Sequence, residues 1–214
     1  MDYYTLIEHK ISESALKHII DSLIKGAVIG YPTETVYGLG CNAYNTKAVE
    51  KIYKLKGRYY SLPLIVLIDD TSTVHKLTKD IPEVAEVLMN AFWPGPLTII
   101  FKASESVPEL LNAGKGTIGL RISSDPVCKH LLERFKKPLV STSANPTGCK
   151  PATSAKELKK YFGSGIDIII DSGPRNKELT STILDVSGKD LKVKREGAIL
   201  RSQIYQVIEK YNEQ

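Results

Sequence analysis

Along nearly the whole chain the apolar residues switch between helical and strand spacing, and this alternation constrains the fold more than any other feature. The stretch 12–25 places Ala15, Leu16, Ile19, Ile20, Leu23 and Ile24 on one helical stripe, with Ser12 as N-cap and Gly26 as its end. Residues 27–31 then read as a short buried strand and 46–55 as a second helix. The unbroken apolar run 63–68 suits a strand covered on both faces. A helix over 82–92 and strands over 97–102 and 117–122 follow. Asp125-Pro126 opens a helix to about Phe135, because the carboxylate caps and the proline sits where a missing N–H costs nothing. Residues 138–141 form the next strand, and Ser154 with Glu157 has capping-box spacing for a helix to about Tyr161. Strands over 166–170, 181–186 and 191–195 precede a last helix over 201–211. With no repeat, low-complexity tract or linker, the pattern predicts one mixed α/β domain over residues 1–214.

Composition narrows the function classes. The 214 residues carry 29 Lys and Arg against 24 Asp and Glu, a net charge of +5. That excess is mild for a nucleic-acid binder but fits an anionic ligand. No apolar run approaches the ~20 residues of a membrane span, which predicts no membrane association. Met1 to Glu8 lacks the pattern of a signal peptide. Cys41, Cys128 and Cys149 are scattered without Cys-x-x-Cys spacing, as expected in a reducing compartment, and the cytoplasm is the predicted location. His9, His18, His75 and His130 form no ligand cluster; Cys128 and His130 are neighbours without matching partners, so no metal site built by the protein alone is expected. There is no P-loop and no Gly-x-Ser-x-Gly elbow.

Four polar segments at predicted strand ends are the candidate site, since α/β folds gather their chemistry there. In 31–40, Pro32 keeps the chain extended, so Thr33, Thr35 and Tyr37 share one side and Glu34 and Val36 the other. Gly38 and Gly40 would allow a sharp turn or a close ligand approach. In 56–64, Lys56 supplies a point charge and Arg58 a planar fork for phosphate or carboxylate. In 141–145, alternation puts Ser141, Ser143 and Asn145 together, and a helix start near Ser154 would add anion-binding N–H groups. The fourth segment is split between Ser181, Thr182 and Asp185 and the run Lys194 to Gly197, with Arg121 ending another strand. Only six arginines occur, and three of them (Arg58, Arg121 and Arg195) fall at these places. Such a set works by positioning a substrate and neutralising phosphate charge, as nucleotidyl transfer requires.

Taken in order, PTETVYGLG (32–40), KGR…PL (56–64), WPGPLT (93–98), STSAN (141–145), STI-D (181–185) and REG (195–197) resemble the YrdC family, the threonylcarbamoyl-AMP synthases of tRNA modification. The resemblance spans roughly residues 10–200. It implies a twisted open mixed sheet flanked by helices with a concave basic groove. It also implies a nucleotidyltransferase that turns L-threonine, bicarbonate or CO2 and ATP into threonylcarbamoyl-AMP and pyrophosphate. Mg²⁺ would ride in on ATP as substrate, with no organic cofactor. The product would pass to a separate threonylcarbamoyl-transferase complex, and tRNA or double-stranded RNA is a further partner. Carried over, Thr35, Arg121, Ser141 and Ser181 match threonine-binding positions. Lys56, Arg58, Ser143 and Arg195 match ATP-binding positions, with Lys56 and Arg58 the catalytic candidates. Thr33, Tyr37, Asn145 and Thr182 would support them, and WPGP (93–96) reads as a structural turn.

Three positions depart from the family pattern. Tyr59 stands where many relatives have proline, Leu62 where they have Asn or Lys, and Leu67 near a polar threonine-binding residue of some relatives. Leu62 cannot donate to a phosphate. The alternative reading is therefore a YrdC-like RNA-binding module or a paralogue without synthase activity.

Overall fold

The computed structural model describes residues 1–6, 10–175 and 179–213. Its strands are β1 (Asp2–Thr5), β2 (Ile29–Tyr31), β3 (Gly38–Gly40), β4 (Ile65–Leu67), β5 (Leu97–Lys102), β6 (Thr117–Arg121), β7 (Leu139–Ser143), β8 (Ile168–Asp171), β9 (Thr182–Asp185) and β10 (Lys192–Arg195). The helices are α1 (Glu13–Ile24), α2 (Thr46–Lys56), α3 (Ser72–Leu77), α4 (Glu83–Phe92), α5 (Glu109–Asn112), α6 (Pro126–Phe135), α7 (Ala155–Phe162) and α8 (Arg201–Asn212). No helix among the described residues is long and apolar enough to cross a membrane.

The strands join one open mixed sheet in the order β1-β8-β2-β3-β7-β4-β6-β5-β9-β10. Neighbours β1/β8, β8/β2, β4/β6 and β5/β9 run parallel and the other pairs antiparallel. Helix starts follow the local chemistry. Ser12 accepts from Ala15 N at 3.3 Å, and one Asp125 oxygen accepts from Val127 N and Cys128 N at 2.9 and 3.2 Å. At α7 the expected box is displaced by one residue. Ser154 caps Glu157 N, but the Glu157 carboxylate accepts from the Thr153 amide at 2.7 Å instead of the Ser154 amide.

Two layers bury the sheet unequally. One face carries Leu39, Val66, Val140, Leu120, Ile99 and Leu184 into a large core with apolar residues of α2, α3, α4, α5, α7 and α8. On the other face α1 and α6 cover only part of the sheet, packing Leu16, Ile19, Leu23, Val127, Leu131 and Phe135 on Ile29, Tyr31, Leu67, Leu139, Ile168 and Ile170. The rest of that face stays open.

The strand expected to run from Tyr31 onward stops there, and Gly38 and Gly40 lie within a strand of their own. Both glycines leave room for the buried Tyr31 ring, and Gly38 also lines a cleft on the open sheet face. A Cβ on Gly40 would sit 2.8 Å from the Val140 carbonyl and 2.7 Å from the Tyr31 ring, so β3 enters between β2 and β7 only as Gly-Leu-Gly. WPGP is a turn, with Trp93 Nε1 donating to Leu97 O at 2.7 Å.

Candidate ligand-binding cleft on the open sheet face

Residues paired across adjacent strands project to the same face. Register pairs Gly38 with Ser143, Ser141 with Ile65, Ile65 with Gly119, Gly119 with Ile100, and Ile100 with Asp185. This row crosses six strands, and every residue in it lines one cleft of about 350 Å³. That volume lies within the ~300–1,000 Å³ usual for ligand pockets. The floor is thus the uncovered sheet face itself, and loops form only the rim. Gly119 keeps the floor deep where a side chain would rise between Ile65 and Ile100.

Arg58, Arg121, Arg195, Thr33, Thr35, Tyr37, Ser141, Ser143 and Ser181 all line this cleft. Thr33 Oγ1 donates to Val36 O at 2.7 Å and lies 2.9 Å from Thr35 Oγ1, which folds the loop after β2 into the rim. Arg58 is held by the Leu62 and Pro63 carbonyls, 3.3 Å from Nε and 2.9 Å from Nη2. Arg195 is held by the Ser181 carbonyl, at 3.2 Å from Nε and 2.8 Å from Nη2, and reaches Ser181 Oγ at 3.3 Å. Gly197 makes that contact possible. A Cβ there would lie 2.2 Å from Thr180 O, so only glycine lets this segment close on the start of β9.

Arg121 and Arg58 lie close enough to Arg195 to make it more acidic. Burial first, then the charges of Arg121 and Arg58, hold Arg195 below the usual guanidinium range, and burial lowers Arg58. Lys115 and Lys194 add two further cations to the lining, against one carboxylate, Asp185. Arg121 is buried with its Nε 3.9 Å from Glu34 Oε1, and among the described residues neither atom has a hydrogen-bond partner. The second Glu34 oxygen accepts from Ser123 Oγ, placing a carboxylate behind the arginine. The resulting field favours an anion bearing phosphate or carboxylate groups.

Other expected residues are placed elsewhere. Buried Lys56 does not line the cleft; its ammonium donates to the Ser143 carbonyl, to Asn145 O at 2.7 Å and to Asn145 Oδ1 at 3.5 Å. Burial and the Arg58 charge push its pKa down to about 7. Asn145 turns back on its own loop, its amide donating to Pro146 O and Cys149 O. Together they brace the loop after β7. Thr182 lies on the opposite face from Ser181, as strand alternation demands, donating to Ile199 O at 2.6 Å and accepting from Gly197 N and Ile199 N. Tyr37 lines the cleft with its ring, but its hydroxyl donates to Gly173 O at 2.8 Å and accepts from Ser172 N at 3.1 Å. The α7 N-terminus is not part of the lining. Leu62 and Tyr59 are exposed beside Arg58, and Leu67 is buried beneath α1 and α6.

Thr117, Lys115, Thr142 and Thr180 also line the cleft and were not singled out from the sequence. Alternation back from Arg121 on β6 reaches Gly119 and Thr117, so that strand already carried the signal. Among the described residues no group of three or more His, Cys, Asp or Glu could hold a metal. Cys128 donates to the Pro32 carbonyl, His130 lies 3.8 Å from Glu13, and His9 falls outside the described residues.

These features define an α/β ligand-binding domain whose open sheet face holds a cationic, hydroxyl-lined cleft. A family model that covers the Sua5, YciO and YrdC proteins, described as Telomere recombination, matches residues 21–197. The threonylcarbamoyl-AMP synthase of Pyrococcus abyssi is 35% identical over 202 residues, covering 94% of this chain and 59% of that protein. The Bacillus subtilis threonylcarbamoyl-AMP synthase is 38% identical over 187 residues, covering 87% and 54%. A crystal structure of Pyrococcus abyssi Sua5 complexed with L-threonine superimposes with a TM-score of 0.91 at 34% identity, covering 97% of this chain and 60% of that one. The chain belongs to the Sua5/YciO/YrdC family. It spans a little over half the length of the two curated relatives.

Proposed function

We propose that this cleft is the active site of a threonylcarbamoyl-AMP synthase. The observation that carries the reading is the convergence of Arg58, Arg121 and Arg195 on one open sheet face beside Thr33, Thr35, Ser141, Ser143 and Ser181. Family membership and the likeness to a Sua5 chain complexed with L-threonine support it. In this reading Arg121 takes the threonine carboxylate, with Thr35, Ser141 and Ser181 around the amino acid. Arg58, Ser143 and Arg195 take the nucleotide phosphates. The threonine amine attacks the carbon of CO2 and loses a proton, giving a carbamate. A carbamate oxygen then attacks the α-phosphorus of ATP, the bond to the β-phosphate oxygen breaks, and pyrophosphate leaves.

The protein's share is alignment and charge neutralisation, with no side-chain nucleophile. Lys56 serves by bracing the Ser143–Asn145 segment, a positioning role in place of a direct phosphate contact. Asp185 is the one carboxylate on the lining, so the donor set does not build a divalent-cation site; Mg²⁺ arrives on ATP as part of the substrate. The adenylate passes to a transferase complex acting on tRNA, and the reaction takes place in the cytoplasm.

The test follows pyrophosphate while ATP, L-threonine and bicarbonate are supplied and omitted in turn. The reading requires release that depends on all three. Release independent of threonine and bicarbonate, or none, would sink it.

A further inference from the structure

Beneath the cleft, Tyr31 is fully buried and donates its hydroxyl to Ser141 Oγ at 2.7 Å. The ring is wedged against Gly38 and Gly40 of β3, with distances of 3.3 and 2.7 Å to where their Cβ atoms would be, so it cannot swing away. Ser141 Oγ has no other hydrogen-bond partner among the described residues, and the side chain faces the cleft. A serine hydroxyl has one proton to give. With a lone pair already accepting from Tyr31, that proton is directed to whatever occupies the cleft. Arg121 lies near enough to Tyr31 to affect its acidity, which puts Ser141 and Arg121 at the same end of the site.

We infer that Tyr31 is a positioning residue that fixes Ser141 as a hydrogen-bond donor toward the carboxylate of the amino-acid substrate. The inference rests on the threonine-site reading above. Tyr31 touches no substrate itself; it decides which way the Ser141 proton points. Without the phenol, the Ser141 hydroxyl loses the donor that fixes its rotation and polarises its proton toward the carboxylate, and the contact weakens. Because burial holds the Tyr31 phenol well above its usual range, the donor stays protonated throughout the working pH range.

The experiment is a double-mutant cycle read by L-threonine binding to the full chain, using Tyr31→Phe, Ser141→Ala and the double variant. Tyr31→Phe should weaken threonine by about 2- to 10-fold, the value of one neutral hydrogen bond, and leave ATP affinity unchanged. In the Ser141→Ala background it should have no further effect, since the hydroxyl it acts through is gone. Equal weakening in both backgrounds would mean that Tyr31 acts through general packing, and an unchanged affinity in the single variant would remove it from the site; either overturns the inference. Loss of threonine binding in the wild type would instead sink the threonine-site reading. Should Tyr31→Phe melt early, Ser141→Cys gives the second readout. With Tyr31 intact it keeps the position but weakens the donor, so threonine affinity should fall while ATP affinity is unchanged, and an unchanged threonine affinity would overturn the inference.

Discussion

Replacing Arg195 with alanine separates binding from folding. In the free protein the guanidinium makes two hydrogen bonds to the Ser181 carbonyl and one to its hydroxyl, yet it faces Arg58 and Arg121 across the cleft. Loss of the carbonyl contacts costs about 1–2 kcal/mol of stability. Relief of repulsion from Arg58 and Arg121 offsets only part of this, because Arg195 is exposed and the repulsion is screened by solvent, so the unliganded protein should lose no more than about 2 kcal/mol. Binding has no such offset. A charge-assisted contact to phosphate contributes about 1.5–3 kcal/mol, so ATP affinity should fall by roughly 10- to 150-fold. Urea unfolding of the apo protein and calorimetric ATP titration measure the two quantities. Raising salt should also stabilise wild type more than the variant, because it screens a repulsion that only wild type retains. A stability loss of several kcal/mol with ATP affinity unchanged would instead make Arg195 a strut for Ser181 and remove it from phosphate binding.

Thr182→Val removes a buried hydroxyl that joins two amides and a carbonyl at residues 197–199; urea unfolding should show a loss of about 1–3 kcal/mol, and intact stability would contradict its bracing role. Gly197→Ala drives a Cβ into Thr180 O, so ATP affinity should fall at least as far as in Arg195→Ala, with near-wild-type titrations counting against the close approach. Lys56, depressed to about 7 in the folded protein against ~10.4 when unfolded, makes the unfolded chain bind one more proton between those values. Stability should therefore rise with pH from about 7 toward 10, and Lys56→Met should flatten that slope; an equal slope in both proteins would show that Lys56 is not its source.

The sequence made most of the frame readable because long amphipathic periods and capping residues are local signals. Helices α1, α2, α4, α6 and α8 and strands β5 and β6 stand within a residue or so of their predicted ranges. What escaped was short. Strand β1 pairs along its length only with β8, which follows it by more than 160 residues, and β3 carries a single side chain between two glycines. Neither has a period to detect. The cleft residues were legible as polar strand ends, but which face each one takes depends on register. Alternation sends Thr182 to the face opposite Ser181 and puts Thr117 with Arg121, but which face meets the cleft is decided by pairing between distant strands. The chemistry of Lys56 suits phosphate and that of Asn145 suits a supporting contact. Only tertiary packing reveals that they spend their hydrogen bonds on each other's segment.

Under the proposed function, threonine, inorganic carbon and ATP are joined in this one cleft. Mass spectrometry of the nucleotide product formed from isotopically labelled bicarbonate tests it most directly. Wild type should form an adenylate carrying both the threonine residue and the labelled carbon, and Arg195→Ala should form far less of it. An adenylate without the label, or no adenylate beyond ATP and its hydrolysis products, would contradict it.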